Sequence, residues 1–210
     1  MVNSRQSIVH ILSFYHSLIL SFTHSITHSL IHSFTLSLTQ KMPIIKPIKG
    51  IWPQFDETCW FADNATVVGE VVMGKNCTVW FNAVVRGDVN TITLGDYVNI
   101  QDGAVIHATY QKTKTTIGNY VSIAHNAIVH GCTIEDKVLV GMGAIIMDGA
   151  VIETGSIIAA GAIVTQNTRV PAGSIYAGNP AKFLKTVSPE LAEVFMRTAN
   201  NYVMYAEWYK

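Results

Sequence analysis

The chain has 210 residues, enough for one sizeable core, and 49% of them are apolar, which places it among globular rather than disordered sequences. Its 14 basic residues balance its 14 acidic ones, and no basic run interleaved with aromatics occurs; neither nucleic acid nor a membrane is expected as a partner, and a small, neutral or weakly charged substrate fits better. Cys59, Cys77 and Cys132 are odd in number and lack C-x-x-C spacing, which speaks against a disulfide framework or a cysteine-built zinc module and for a reducing, cytoplasmic location.

Residues 1–41 read as a low-complexity leader. Serine recurs at every fourth position from Ser13 to Ser37, and no acidic residue precedes Asp56. The longest uninterrupted apolar run there is Leu18 to Leu20, too short for a signal peptide or a membrane span. Serine richness resembles a transit peptide, but Arg5 is the only charge before Lys41. His24, His28 and His32 share a helical face that could bind a metal, although the four-residue repeat alone accounts for their spacing. The expectation is an unstructured upstream extension, with the folded body starting at Met42-Pro43.

From Phe61 the aliphatic residues keep a period of six. Val67, Met73, Val79 and Val85 form one series, Leu94, Ile100 and Ile106 a second, Ile117, Ile123 and Val129 a third, and Ile134 through Val164 a fourth. A small residue follows four places on, as at Cys77, Ala83, Ala104 and Ala127. This pattern predicts an all-β fold, a left-handed parallel β-helix over residues 42–187 with three hexads per coil, in which residues 18 apart stack at roughly 4.8 Å. The period breaks between Val85 and Leu94 (three residues extra), between Ile106 and Ile117 (five extra) and between Val129 and Ile134 (one missing), and the insertions predict corner loops. Over residues 188–210, Ser188-Pro189 reads as an N-cap with proline at N1. Leu191, Val194, Phe195, Thr198, Tyr202, Tyr205 and Trp208 then recur at helical spacing, predicting an amphipathic C-terminal helix packed along the β-helix.

The body holds three histidines, His107, His125 and His130. Hexad offsets put Arg86, His107 and His130 in one outward column on successive coils, and Asp102 and His125 in a second column on the neighbouring face. His107 and His130 should lie side by side, whereas His125 cannot reach the same point. A threefold trimer supplies the third ligand by setting unlike faces of two subunits together. Three imidazoles with an open position make a hydrolytic or hydrating zinc-type centre. A lone outward histidine would read as merely solvated; three that are the body's only histidines read as a shared centre.

The hexad body, Arg86-Gly87-Asp88, the N-I-Q-D-G segment at Asn99 to Gly103, V-I-H ending at His107, and His125 and His130 at their spacing of five together resemble the gamma-class carbonic anhydrases and their bacterial, phenylacetate-pathway and carnitine-pathway relatives. The run Ala177 to Lys182 fits too, but hexapeptide acyltransferases share it. The resemblance implies a homotrimer with zinc, or iron or cobalt, at each interface, held by His107, His125 and His130. It implies an interfacial ion pair of Arg86 with Asp88, orientation of water by Gln101 with Asn99 nearby, and an outer supporting role for Asp102. Tyr176 is a further candidate at the catalytic site. The implied reaction is reversible hydration of carbon dioxide to bicarbonate by metal-bound hydroxide. No acid lies between Ala108 and Thr116, and Val89 follows Asp88, so an acidic proton shuttle is missing and weak activity is expected. The competing readings are a hexapeptide acyltransferase or coenzyme A thioesterase, and a non-catalytic trimeric, metal-binding assembly subunit.

Overall fold

The computed structural model describes residues 42–209; the expectations for residues 1–41 lie outside the described residues. The chain folds as a left-handed parallel β-helix with a C-terminal helix. Each coil has three sides. On the first, Val67, Val85, Ile106, Val129, Ile146 and Val164 stack Cα on Cα. On the second, Met73, Leu94, Ile117, Ile134, Ile152 and Val170 stack. On the third, Phe61, Val79, Ile100, Ile123, Val140, Ile158 and Tyr176 do so. These columns are the hexad positions of the sequence, and apart from Phe61 and Tyr176 at the two ends they are buried. Each Val or Ile removed from water contributes about 1.5–3 kcal/mol, and the small residues four places on, Ala83, Ala104 and Ala127, fill the corners between columns.

The backbone of each coil hydrogen-bonds to the next, and polar side chains finish the ladder at the corners. Asp96 Oδ1 accepts the Lys75 N–H at 2.8 Å, Asn119 Oδ1 the Asp96 N–H at 2.8 Å, and Asp136 Oδ1 the Asn119 N–H at 2.7 Å. Backbone donors that leave the strands are thereby satisfied without water.

One expectation is corrected. The extra residues between Val85 and Leu94 make no loop; Thr66–Met73 and Val84–Leu94 are continuous strands that turn the corner together, joining the first two sides into one twelve-stranded sheet. Gly69 and Gly87 permit this, since a Cβ on either would run into the backbone of the adjoining coil. Only the longer break after Ile106 leaves the sheet, at residues 108–114.

The helix, Pro189–Glu207, opens with Ser188, whose Oγ accepts the Leu191 N–H at 3.4 Å, satisfying one orphan donor of the first turn. It lies on the third side against Thr78–Val79 and Ser122–Ile123. Phe195, Ala199 and Ala206 form its buried seam, with Tyr202 edge-on to Trp80 at 5.3 Å. Trp208, expected in the apolar stripe, is the C-cap residue and is 72% exposed. Among the described residues no helix is long and apolar enough to cross a membrane.

Candidate metal centre

His107 ends the strand Val105–His107, His130 ends Ile128–His130, and the two are register partners on the first side. Strand alternation turns Ile106 and Val129 inward and so sends both imidazoles outward. His107 Nδ1 lies 3.2 Å from His130 Nε2. Each ring's other nitrogen meets a carboxylate: His107 Nε2 is 2.9 Å from Asp88 Oδ1, and His130 Nδ1 is 2.8 Å from Asp148 Oδ1. The Arg86 guanidinium donates to the second oxygen of Asp88.

These contacts assign the protons. Burial pushes the Asp88 carboxyl up, but hydrogen bonds from His107 and Arg86 and the Arg86 charge bring it below the usual value. Burial acts the same way on Asp148, outweighed by hydrogen bonds from Thr109 and His130 and by the imidazole's charge. Both are therefore ionised and accept only, so each outer ring nitrogen carries its hydrogen. In neutral rings the inner nitrogens then present lone pairs to each other at 3.2 Å, an arrangement that repels unless a proton or a cation lies between. A tetrahedral zinc with nitrogens at about 2.0–2.1 Å sets two of them roughly 3.3 Å apart, so the pair fits two positions of such an ion. A carboxylate behind each metal-facing imidazole is the usual support for zinc-bound histidine.

Asp148 is the residue that sequence reasoning missed. It stands one coil on and, because Val129 stacks on Ile146, one place past the position level with His130; reading the neighbours of each stacked position on the next coil would have found it. Thr109 Oγ1 donates to its Oδ2 at 2.7 Å, and Thr113 Oγ1 to its Oδ1 at 3.2 Å.

His125 lies on the third side. Its Nδ1 lies 2.9 Å from Asp102 Oδ2. Gln101 Nε2 donates to Asn99 Oδ1 at 3.0 Å, and Asn99 Nδ2 donates to Ser122 Oγ at 2.8 Å; Asn99 and Gln101 are buried. A groove of about 390 Å³ runs between this side and the helix, with Gln101, Ala124, His125, Met142 and Tyr202 in its walls. Tyr176 is placed apart from both histidine groups. It stacks on Ile158 at an inward position and meets Phe183 edge-on at 6.2 Å. One chain thus brings together Arg86, Asp88, His107 and His130, and separately Asn99, Gln101, Asp102 and His125. Among the described residues no three His, Cys, Asp or Glu side chains gather to hold a metal.

The family described as Bacterial transferase hexapeptide (six repeats) matches residues 131–166. The chain is 36% identical over 167 residues to the carbonic anhydrase of Geobacillus kaustophilus, covering 80% of this chain and 91% of that protein. It is 36% identical over 160 residues to the mitochondrial gamma carbonic anhydrase 2 of Arabidopsis thaliana, covering 74% of this chain; it spans only 58% of that plant protein's length. A crystal structure of a hexapeptide transferase family protein from Anaplasma phagocytophilum superposes with a TM-score of 0.76 at 40% identity, covering 80% of this chain and 98% of that one. By fold, repeat and sequence, the chain belongs to the gamma carbonic anhydrase-like family of hexapeptide-repeat proteins.

Proposed function

We propose that this chain is a zinc-dependent carbonic anhydrase that interconverts carbon dioxide and bicarbonate as a homotrimer, with His107 and His130 of one subunit and His125 of the next as metal ligands. The observation that carries this reading is the meeting of His107 Nδ1 and His130 Nε2 at 3.2 Å with both outer nitrogens bound to carboxylates. Two imidazole nitrogens this close, each with its other nitrogen on a carboxylate, suit shared ligation of one cation, and iron or cobalt would satisfy the same imidazole donors. The third donor comes from a second copy because His125 stands on another side of the coil. Beside the histidine pair, Val84, Val105, Ile128, Ile145 and Ile163 form an outward aliphatic column, with Ile128 38% exposed. Such a strip suits the face of an identical neighbour. The three free cysteines fit a reducing compartment such as the cytoplasm.

When bound, such a metal lowers the pKa of a water to about 7 and so supplies a nucleophile at neutral pH. The chain's own residues do the rest. Asp88, Asp148 and Asp102 fix the protonated edge of each imidazole. Gln101, braced by Asn99 and Ser122, presents its remaining amide atoms beside His125 and orients the reacting water. The Arg86 and Asp88 ion pair keeps that carboxylate on His107. We assign Tyr176 to packing of the last coil, outside the reaction.

Metal analysis of the purified protein beside His125→Ala tests this reading. The variant should lose metal and its trimer should weaken; full metal occupancy in it would refute the trans ligand. Bound metal without bicarbonate formation would select a non-catalytic assembly subunit. A second reading, transfer or hydrolysis of an acyl group from coenzyme A, is favoured by the groove beside His125 alone, and stabilisation of the protein by acetyl-coenzyme A but not by zinc would select it.

A further inference from the structure

Asp148 lies outside the histidine and R-G-D pattern, yet it ties one imidazole of the pair to the loop at residues 108–114. Its carboxylate receives three side-chain donors: His130 Nδ1 at 2.8 Å, Thr109 Oγ1 at 2.7 Å and Thr113 Oγ1 at 3.2 Å. Thr113 Oγ1 also accepts the Thr109 N–H at 3.0 Å, so the two hydroxyls are fixed relative to each other. The loop is anchored a second time, because Thr115 Oγ1 donates to the His107 carbonyl at 2.6 Å and accepts the Gly131 N–H at 3.0 Å. A carboxylate held by donors from two directions cannot swing away from the ring it faces. Asp88 does the same for His107, but with an exposed guanidinium as its brace instead of a loop.

We propose that Asp148 is the positioning residue of His130: it selects the tautomer with hydrogen on Nδ1, leaves Nε2 facing His107, and makes the loop at 108–114 part of the centre's rigidity. This rests on the metal reading above and extends it to a residue and a loop outside the ligand set. If Asp148 served only to staple the loop, neutralising it would leave the ring's protonation pattern unchanged.

The test is Asp148→Asn in the full chain, whose amide can turn and donate to Nδ1, forcing the opposite tautomer, as happens when a buried aspartate behind a histidine is replaced by asparagine. Zinc affinity is read by competition with a chromophoric chelator, the His130 ring by nitrogen-15 chemical shifts of the metal-free protein, and assembly by sedimentation. The expected result is zinc binding weaker by about 10 to 100-fold, with Nδ1 of His130 moving to the unprotonated shift and the assembly unchanged in size. Parental affinity, or an unmoved Nδ1 signal, would overturn the proposal. Should that variant fail to fold, the double variant Thr109→Val/Thr113→Val keeps the carboxylate and removes its braces. It should weaken zinc binding less than Asp148→Asn and give a mixed tautomer, and parental behaviour on both counts would overturn the proposal equally. If the parent protein takes up no zinc, the metal reading fails by itself, and the tautomer of His130 still decides the role of Asp148.

Discussion

Gly131 and Asp148 share one small volume beside His130: a Cβ at Gly131 would overlap both the Asp148 carboxylate and the Thr113 hydroxyl. Gly131 also turns the shortened corner between Val129 and Ile134 with φ of 57°, a conformation that an L side chain adopts at a cost. Gly131→Ala should therefore destabilise the protein by about 1–3 kcal/mol and displace the carboxylate from His130. Denaturant unfolding at fixed protein concentration measures the first effect and metal retention the second. Unchanged stability would mean that the corner relaxes without strain.

Inward and outward positions of the same strand should answer to different measurements. Ile146 is fully buried in the first-side column, and Ile146→Ala should cost about 2–5 kcal/mol with loss of cooperative unfolding. Ile128, stacked on Ile145 and 38% exposed, belongs to the outward aliphatic column. Ile128→Glu should leave the circular dichroism of the β-helix intact and reduce the assembled mass measured by light scattering. A trimer that survives this change would place the interface on another side.

Cys59 and Cys77 stand 18 residues apart at the same offset of successive coils, with Trp60 paired to Thr78 beside them. The Cys59 thiol donates to the Gly74 carbonyl and the Cys77 thiol to the Gly95 carbonyl, each at 3.1 Å, and burial penalises the Cys77 thiolate. The thiolate is the reactive form, and Cys59 is also the more exposed of the two. Alkylation of the native protein near pH 8 should mark Cys59 well before Cys77, read by peptide mass spectrometry, and Cys59→Ser should not transfer the label to Cys77. Equal labelling would show that the first coil opens on the alkylation timescale.

The coil architecture was legible because period six admits one stacking. Once Val67, Val85, Ile106 and Val129 are aligned, the pairing of His107 with His130 follows by arithmetic, and the strands pair them so. What escaped was lateral. Asp148 is invisible when each histidine is read with its own hexad, because its partnership runs between coils through side chains that leave the hexad column. The bend at Val84–Leu94 was misread as a loop, since extra residues can turn a corner as strand wherever glycines such as Gly69 and Gly87 let two backbones approach. Tyr176, after the last regular hexad, suited the site and simple packing equally well from sequence. Its offset is inward, and a ring there caps the core.

The route of the proton should appear in the rate. Hydration of carbon dioxide releases one proton per turnover, and residues 108–116 hold no carboxylate to receive it. Asp88 and Asp148 are close by, but both are held below the usual carboxylate value by hydrogen bonds that outweigh burial, which makes them weaker proton acceptors at neutral pH, and their oxygens are already engaged by His107 and His130. In the proposed reaction, transfer to dissolved base then limits turnover. The rate at pH 7 should rise with the concentration of a buffer of pKa near 7 and level off only when another step takes over. Gln111→Glu puts an acid on the exposed loop and should raise the rate at low buffer, by up to about 10²-fold, while changing little at high buffer. A parental rate independent of buffer would reveal an internal acceptor, and Tyr110, 56% exposed on the same loop, is the residue whose change to Phe would then be measured.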